Sequence, residues 1–208
     1  MTQAISTRAG RRGYARVLIP VLVGAVAAAV VWSLGPFGRG DSTVHASFDA
    51  PVYSSVEELT SASDIVVIGT VTAVVGRETD FGTNNLSERV GDGIPVVFYE
   101  VESSEVLKGT TDSTTIIVGN PDGEKLGSED VTPLEVGQEV MLFLRAQTAA
   151  KDAPGITLFD SFYTTLSLDN GIFDMDGEVA HPRTPGLFGD TATVSFPMDD
   201  IRTQISNG

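Results

Sequence analysis

Residues 64–76 read Asp-Ile-Val-Val-Ile-Gly-Thr-Val-Thr-Ala-Val-Val-Gly. Ile65, Val67, Val71, Ala73 and Val75 fall on one face of a strand and Thr70 and Thr72 on the other, the period of two of a β-strand. Gly69 lies in the middle of the run, where a bulge or a sharp coil is expected. Downstream, residues 96–107 (VVFYEVESSEVL) form a second long strand with Tyr99 and Val101 on one side and Glu100 and Glu102 on the other. Its alternation loses phase at Ser103-Ser104, as a bulge causes. Lys108-Gly109 turns the chain into a third strand at 114–118 (TTIIV). Gly137-Gln138 precedes residues 139–144 (EVMLFL), whose unbroken apolar run implies burial on both faces. Residues 156–168 supply one or two more strands. Residues 171–180 (GIFDMDGEVA) read as a hairpin about Asp176-Gly177, a dipeptide that tolerates the positive φ of a tight turn.

Two short helices flank these strands. Ser55-Val56-Glu57-Glu58 has the form of a capping box, with Glu58 reaching back and Val56, Leu59 and Ala62 on one face. Near the other end, Ile201 and Ile205 stand four apart, the spacing of a terminal helical turn. The expectation is an all-β domain of five to seven strands with two short helices. Mid-strand Gly69 and the phase slip are devices that let long strands wrap, so a small Greek-key barrel is expected, with a seven-strand immunoglobulin-like sandwich as the alternative.

The rest of the chain sets the context. Residues 17–37 (VLIPVLVGAVAAAVVWSLGPF) are 21 positions without a charge, long enough for a helix to span a hydrocarbon core. Arg8, Arg11, Arg12 and Arg16 precede the run, and Trp32 falls near its far end, where an interfacial indole sits. The positive-inside bias predicts a basic cytoplasmic tail at 1–16, a transmembrane anchor or signal sequence at 17–37, a stalk at 38–54 and an extracytoplasmic β domain at 55–208. A single-pass membrane protein with its C-terminal domain outside is the first expectation; secretion after cleavage near Ala46 is the second. The Arg-Gly-Asp at 39–41 abuts the membrane in this reading and is taken as a chance match.

Several residue groups together look like a known family. Ser63 to Val71 (SDIVVIGTV), Tyr99-Glu100-Val101 with Val106-Leu107-Lys108-Gly109, and Val136 to Leu144 (VGQEVMLFL) resemble the netrin-like OB-barrel domains typified by the tissue inhibitors of metalloproteinases and their bacterial secreted relatives. The resemblance covers about half of the domain and implies a five-stranded OB-type barrel with accessory helices. It departs from the inhibitors in one decisive respect. The chain has no cysteine, whereas the inhibitors chelate the protease zinc through an N-terminal cysteine, so protease inhibition is not carried over.

Charge and composition exclude other chemistries. Residues 41–208 hold 8 basic against 28 acidic side chains, a net charge of −20, which repels phosphate backbones and argues against nucleic acid as a partner. With no cysteine there is no disulfide, zinc-thiolate site or thiol nucleophile. His45 lies in the stalk, leaving His181 as the candidate histidine base; no Gly-x-Ser-x-Gly elbow, His-Glu-x-x-His helix or phosphate loop accompanies it. The single tryptophan is in the membrane segment, so a sugar-stacking platform is not expected. No catalytic residue and no organic cofactor is assigned.

Two groups of residues stand out as candidate sites. Asp169, Asp174, Asp176 and Glu178 set hard oxygens around a tight turn, the donors Ca²⁺ takes, although the same turn needs only Asp-Gly to form. Residues 77–95 (RETDFGTNNLSERVGDGIP) make a long polar loop between the first two strands, and Phe81, Leu86 and Val90 in it are the candidate binding residues. The functional expectation is a membrane-anchored, non-enzymatic module that binds an extracytoplasmic protein partner. A cation-binding envelope scaffold and a hydrolase with an unlocated site are the alternatives.

Overall fold

The computed structural model describes residues 51, 53–89, 91–128, 131–184 and 195–207. The expected cytoplasmic tail, residues 17–37 and the stalk up to residue 50 lie outside the described residues, as does Val90. Among the described residues no helix is long and apolar enough to cross a membrane.

Helix α1 (Val56–Ala62) opens the domain. Ser55 caps it as expected, its Oγ accepting the Glu58 amide at 3.1 Å, but Glu58 reaches one residue farther back than a capping box requires. Its carboxylate takes the Ser54 amide and the Ser54 hydroxyl, both at 2.8 Å. At the other end Lys108 Nζ donates to the Thr60 and Ser63 carbonyls at 2.6 and 2.7 Å, a cation on the orphan carbonyls of a helix C-terminus.

Strands β1 (Ile65–Asp80) and β2 (Ile94–Lys108) pair antiparallel along nearly their whole length. Next come β3 (Thr115–Pro121), α2 (Gly123–Leu126), β4 (Glu139–Thr148), α3 (Ala149–Asp152) and β5 (Ser161–Thr165). Hairpin β6 (Ile172–Asp176) and β7 (Val179–Pro182) comes after them, then β8 (Phe196–Pro197) and α4 (Met198–Asn207). The sheet runs β1-β2-β3-β5-β4-β6-β7-β8, and β1 also pairs with β4. Five strands therefore close on themselves in the order 1-2-3-5-4, with β3 and β5 parallel at Val118–Tyr163 and Gly119–Thr164. The remaining three strands extend from β4.

The domain is strand-rich, as expected, but the tallies differ. Eight strands are present among the described residues instead of five to seven; the hairpin β6–β7 is the expected one, and the two-residue β8 is a strand that the sequence does not mark. Among the described residues there are four short α-helices where two are expected: α2 and α3 are single turns inside connections, which have no apolar period to announce them. The alternative of two packed sheets is not met, since the strands form one sheet.

Four register shifts coil the β1–β2 pair. Ser104 and Leu107 are extra on β2; Thr72 and Val75 are extra on β1. The slip expected at Ser103-Ser104 is therefore present, and Gly69 sits beside it. A Cβ on Gly69 would stand 2.6 Å from the Glu102 carbonyl, so the close approach of the two backbones needs glycine there. The two bulges on β1 correct the reading of a single apolar face on that strand. Each extra residue reverses the facing of the positions after it: Val71 is fully buried, Ala73 pairs with outward Glu100, and Val75 is exposed.

Three apolar clusters result. One draws on Ile65, Val67, Val71, Val97, Tyr99, Val101, Ile116, Val118, Val140, Leu142 and Leu144, with Tyr163 of β5 against it, and so fills the inside of the ring. Leu134, from the α2–β4 connection, enters this cluster and plugs one end. On the outer face Val66, Ile68, Met141, Phe143 and Phe173 pack under α1 and α4, through Leu59, Ile201 and Ile205. The five apolar residues 140–144 are thus buried on both faces, as the run predicts, while Glu139 is exposed. The third cluster, Phe98, Phe162, Ala149, Ala153 and Ile156, lies on another part of the outer face beneath the β4–β5 connection. The expected tight turn is present between β6 and β7, with Gly177 at φ +58°.

Candidate functional site

The β1–β2 hairpin carries the long loop singled out in the sequence. Its tip is an ordered turn rather than a slack connection. A 3-10 turn, Leu86–Glu88, is capped by Asn85, whose Oδ1 accepts the Ser87 amide at 3.2 Å and the Ser87 hydroxyl at 2.8 Å. Asn85 Nδ2 donates to Glu88 Oε1 at 2.7 Å, and Thr83 Oγ1 accepts the Asn85 amide at 3.1 Å while donating to Glu88 Oε2 at 3.4 Å. Leu86, at the start of this turn, is 75% exposed. Asn85 followed three residues later by Glu88 is a capping pattern, and that signal in the sequence marks the turn.

Of the three loop residues expected to bind, the structure gives them different places. Leu86 is at the apex. Phe81 is at the base, half-buried, with the Arg89 guanidinium 4.5 Å from its ring centroid. Val90 lies outside the described residues.

Exposed apolar surface gathers at this end of the domain. Among the described residues seven large apolar side chains are exposed, and Val74, Val75, Leu86 and Ile94 belong to the outer half of this hairpin. A fifth, Leu158, comes from the β4–β5 connection and leans on the hairpin, its Cδ1 2.9 Å from where a Gly76 Cβ would stand. Singly exposed apolar residues are ordinary; these five are strung along one hairpin and the connection beside it.

The β4–β5 connection is tied to the hairpin by a single carboxylate. Glu78 accepts the Thr157 amide at 2.9 Å, the Thr157 hydroxyl at 2.6 Å and the Leu158 amide at 3.0 Å. Partial burial pushes this carboxyl upward, but the Thr157 and Leu158 hydrogen bonds and the charge of Arg89 outweigh it and hold Glu78 below the usual carboxylate range. Beneath the connection, Phe98 packs on Phe159 with centroids 5.0 Å apart and edge-on against Phe162 at 5.2 Å. This aromatic part of the sheet face is covered by the chain itself. The sequence did not mark Glu78 or Leu158, because the contacts join residues 79 and 80 positions apart.

The four carboxylates considered for calcium are not brought together. Asp174 Oδ1 takes Arg183 Nε at 2.9 Å and Gln138 Nε2 at 2.7 Å. Asp169 is buried, and both of its oxygens accept the Thr132 amide, at 3.0 and 2.9 Å. Glu178 pairs with Arg202 at 3.2 Å, and Asp176 is exposed at the end of β6. Among the described residues no group of three or more acidic or histidine side chains is placed to hold a metal ion. The Asp-Gly turn thus serves the hairpin.

What that region builds is a clamp. Arg183 also donates to the Thr132 and Pro133 carbonyls at 3.1 and 3.3 Å and to Gln138 Oε1 at 2.8 Å, with its side chain only 6% exposed. The connection bearing Leu134 is thereby fixed in the mouth of the ring. Burial raises the Tyr99 phenol, and the Leu134 backbone hydrogen bond to it acts in the opposite sense. Burial likewise raises Asp169, against the pull of the Thr132 hydrogen bonds and of Arg183. Nearby, Thr165 Oγ1 donates to Asn120 Oδ1 at 2.5 Å, and Asn120 Nδ2 is buried with no hydrogen-bond partner.

His181 lies on β7 opposite Asp174 in the register. Asp174 Oδ1 is taken by Arg183 and Gln138. His45 lies outside the described residues. The chain matches no protein-family model, and no curated protein matches it.

Proposed function

We propose that the chain is a membrane-anchored, extracytoplasmic and non-enzymatic binding module, in which an OB-type barrel carries the β1–β2 hairpin as its contact element for a protein partner. The ring order 1-2-3-5-4 with β3 and β5 parallel, and a helical turn between β3 and β4, supports the OB-type reading of the barrel. The uncharged run at 17–37 with arginines before it supports the anchor. The net charge of −20 beyond residue 40 speaks against nucleic acid.

The observation that carries the binding role is at the tip. A hydrogen-bonded turn fixes Leu86 outward, and most of the exposed large apolar side chains lie on the same projection. Holding an apolar anchor in place before binding reduces the entropy lost on association, which is how small interfaces gain affinity. The aromatic face that a barrel of this type offers elsewhere is sealed by the β4–β5 connection.

The test is co-purification of the full chain from its own cell envelope in mild detergent, compared with the Leu86→Asp and Thr110→Asp variants. The reading expects a stoichiometric partner with the parent and with Thr110→Asp, an exposed site in the β2–β3 connection, and loss of that partner with Leu86→Asp. Equal recovery with all three would refute the tip as the contact element.

A further inference from the structure

We infer that the surface which receives the hairpin tip is an apolar socket rimmed by lysine and arginine on a partner protein; this rests on the tip being the contact element. The argument is one of charge complementarity around an apolar anchor. Residues 78–93 contain Glu78, Asp80, Glu88 and Asp92 against a single cation, Arg89. Arg89 is turned back over the Phe81 ring, 4.5 Å from its centroid, and lowers the Glu78 carboxyl at the base of the hairpin, so it offsets one of the four acids there. At the base, Arg77 is committed to Asp122 at 2.6 Å. The loop that carries Leu86 is therefore net negative: Glu88, two residues after it, and Asp92 farther along the same loop are both exposed.

An acidic surface would add like-charge repulsion, and an apolar one would strip water from the Asp92 carboxylate with nothing to replace it, a cost that opposes the gain from burying a leucine; Glu88 already accepts from Asn85 and Thr83. An anionic lipid headgroup or a phosphate backbone carries the wrong sign for the same reason. A basic rim around an apolar pocket satisfies both parts of the tip. It adds long-range attraction to the encounter, and the leucine supplies the contact that holds.

Replacing Leu86 with p-benzoylphenylalanine in the full chain, in its own cells and then in envelope extracts, gives a covalent readout of what touches the tip. The inference expects an adduct whose cross-linked peptide lies on a face with a surplus of lysine and arginine. Its yield should fall at least about threefold when salt is raised from about 0.05 M to about 0.5 M, since screening shortens the reach of exposed charges. An Asp92→Lys change in the same chain should lower the yield in the same direction. An adduct whose yield ignores both salt and Asp92→Lys, or which maps to an acidic or neutral face, would overturn the basic rim and leave the tip as a contact element. An adduct no stronger than one from the same probe at Thr110 would overturn the contact reading itself, and the inference with it.

Discussion

Arg183 Nε donates to Asp174 Oδ1 at 2.9 Å, and through this one pair the guanidinium is aimed at the carbonyls of Thr132 and Pro133. A strand-end arginine thus fixes the segment that seals the ring with Leu134. Replacing it with methionine removes four donated hydrogen bonds but leaves Asp174 partly solvated, so the expected cost is about 2 kcal/mol, below that of stranding a fully buried charge. Denaturant unfolding measures this, and amide exchange should accelerate first in residues 131–138.

Asp169 is buried beside that clamp, and its carboxyl is raised by burial. A group whose folded pKa lies above its unfolded one stabilises the fold at low pH and loses that contribution as pH rises through the folded value. At pH 7 the buried charge is therefore a net cost. Asp169→Asn keeps an oxygen for the Thr132 amide and removes the charge. Its Tm should exceed that of the parent at pH 7, with the difference vanishing in acid, as thermal scans at several pH values would show.

Glu78 has the opposite sign. Its folded pKa is depressed, so its contribution is complete above the ordinary carboxylate range and is lost as pH falls through the folded value. Protection of the Thr157 and Leu158 amides, corrected for intrinsic exchange, should decline on acidification in the parent. In Glu78→Gln it should be low throughout and lack that acid-dependent step.

Gly69→Ala places a methyl group 2.6 Å from the Glu102 carbonyl and 2.9 Å from Val101 Cγ1. Backbone on one side and a buried valine on the other leave it no room, and a loss of about 1–3 kcal/mol is expected from such overpacking. A variant as stable as the parent would mean that the β1–β2 crossing is looser than described.

These positions also separate what local sequence can announce from what it cannot. Residues 139–144 and the phase slip at Ser103-Ser104 were legible because a strand's two faces alternate within its own residues. The bulges at Thr72 and Val75 were not, since a bulge is defined against the partner strand and valine and threonine suit either facing. At the tip, Leu86 was legible as an apolar residue in a polar loop. That Phe81 turns inward under Arg89 depends on a contact eight positions away. The Arg183 clamp and the Glu78 tie join residues that are not neighbours in sequence, so only the folded arrangement shows that Asp174 serves an arginine and that Asp169, Asp174, Asp176 and Glu178 are not brought together.

The most direct test of the central claim uses the absence of cysteine from the chain. Leu86→Cys and Thr110→Cys variants of the full chain each carry one thiol, and a membrane-impermeant maleimide reports its access in intact cells and in the purified protein. The account predicts that both positions label from outside, and that position 86, relative to position 110, reacts several-fold more slowly in cells than when purified, because a partner covers the tip. Failure of both to label in intact cells, or an 86-to-110 ratio that is the same in cells and in the purified chain, would contradict it.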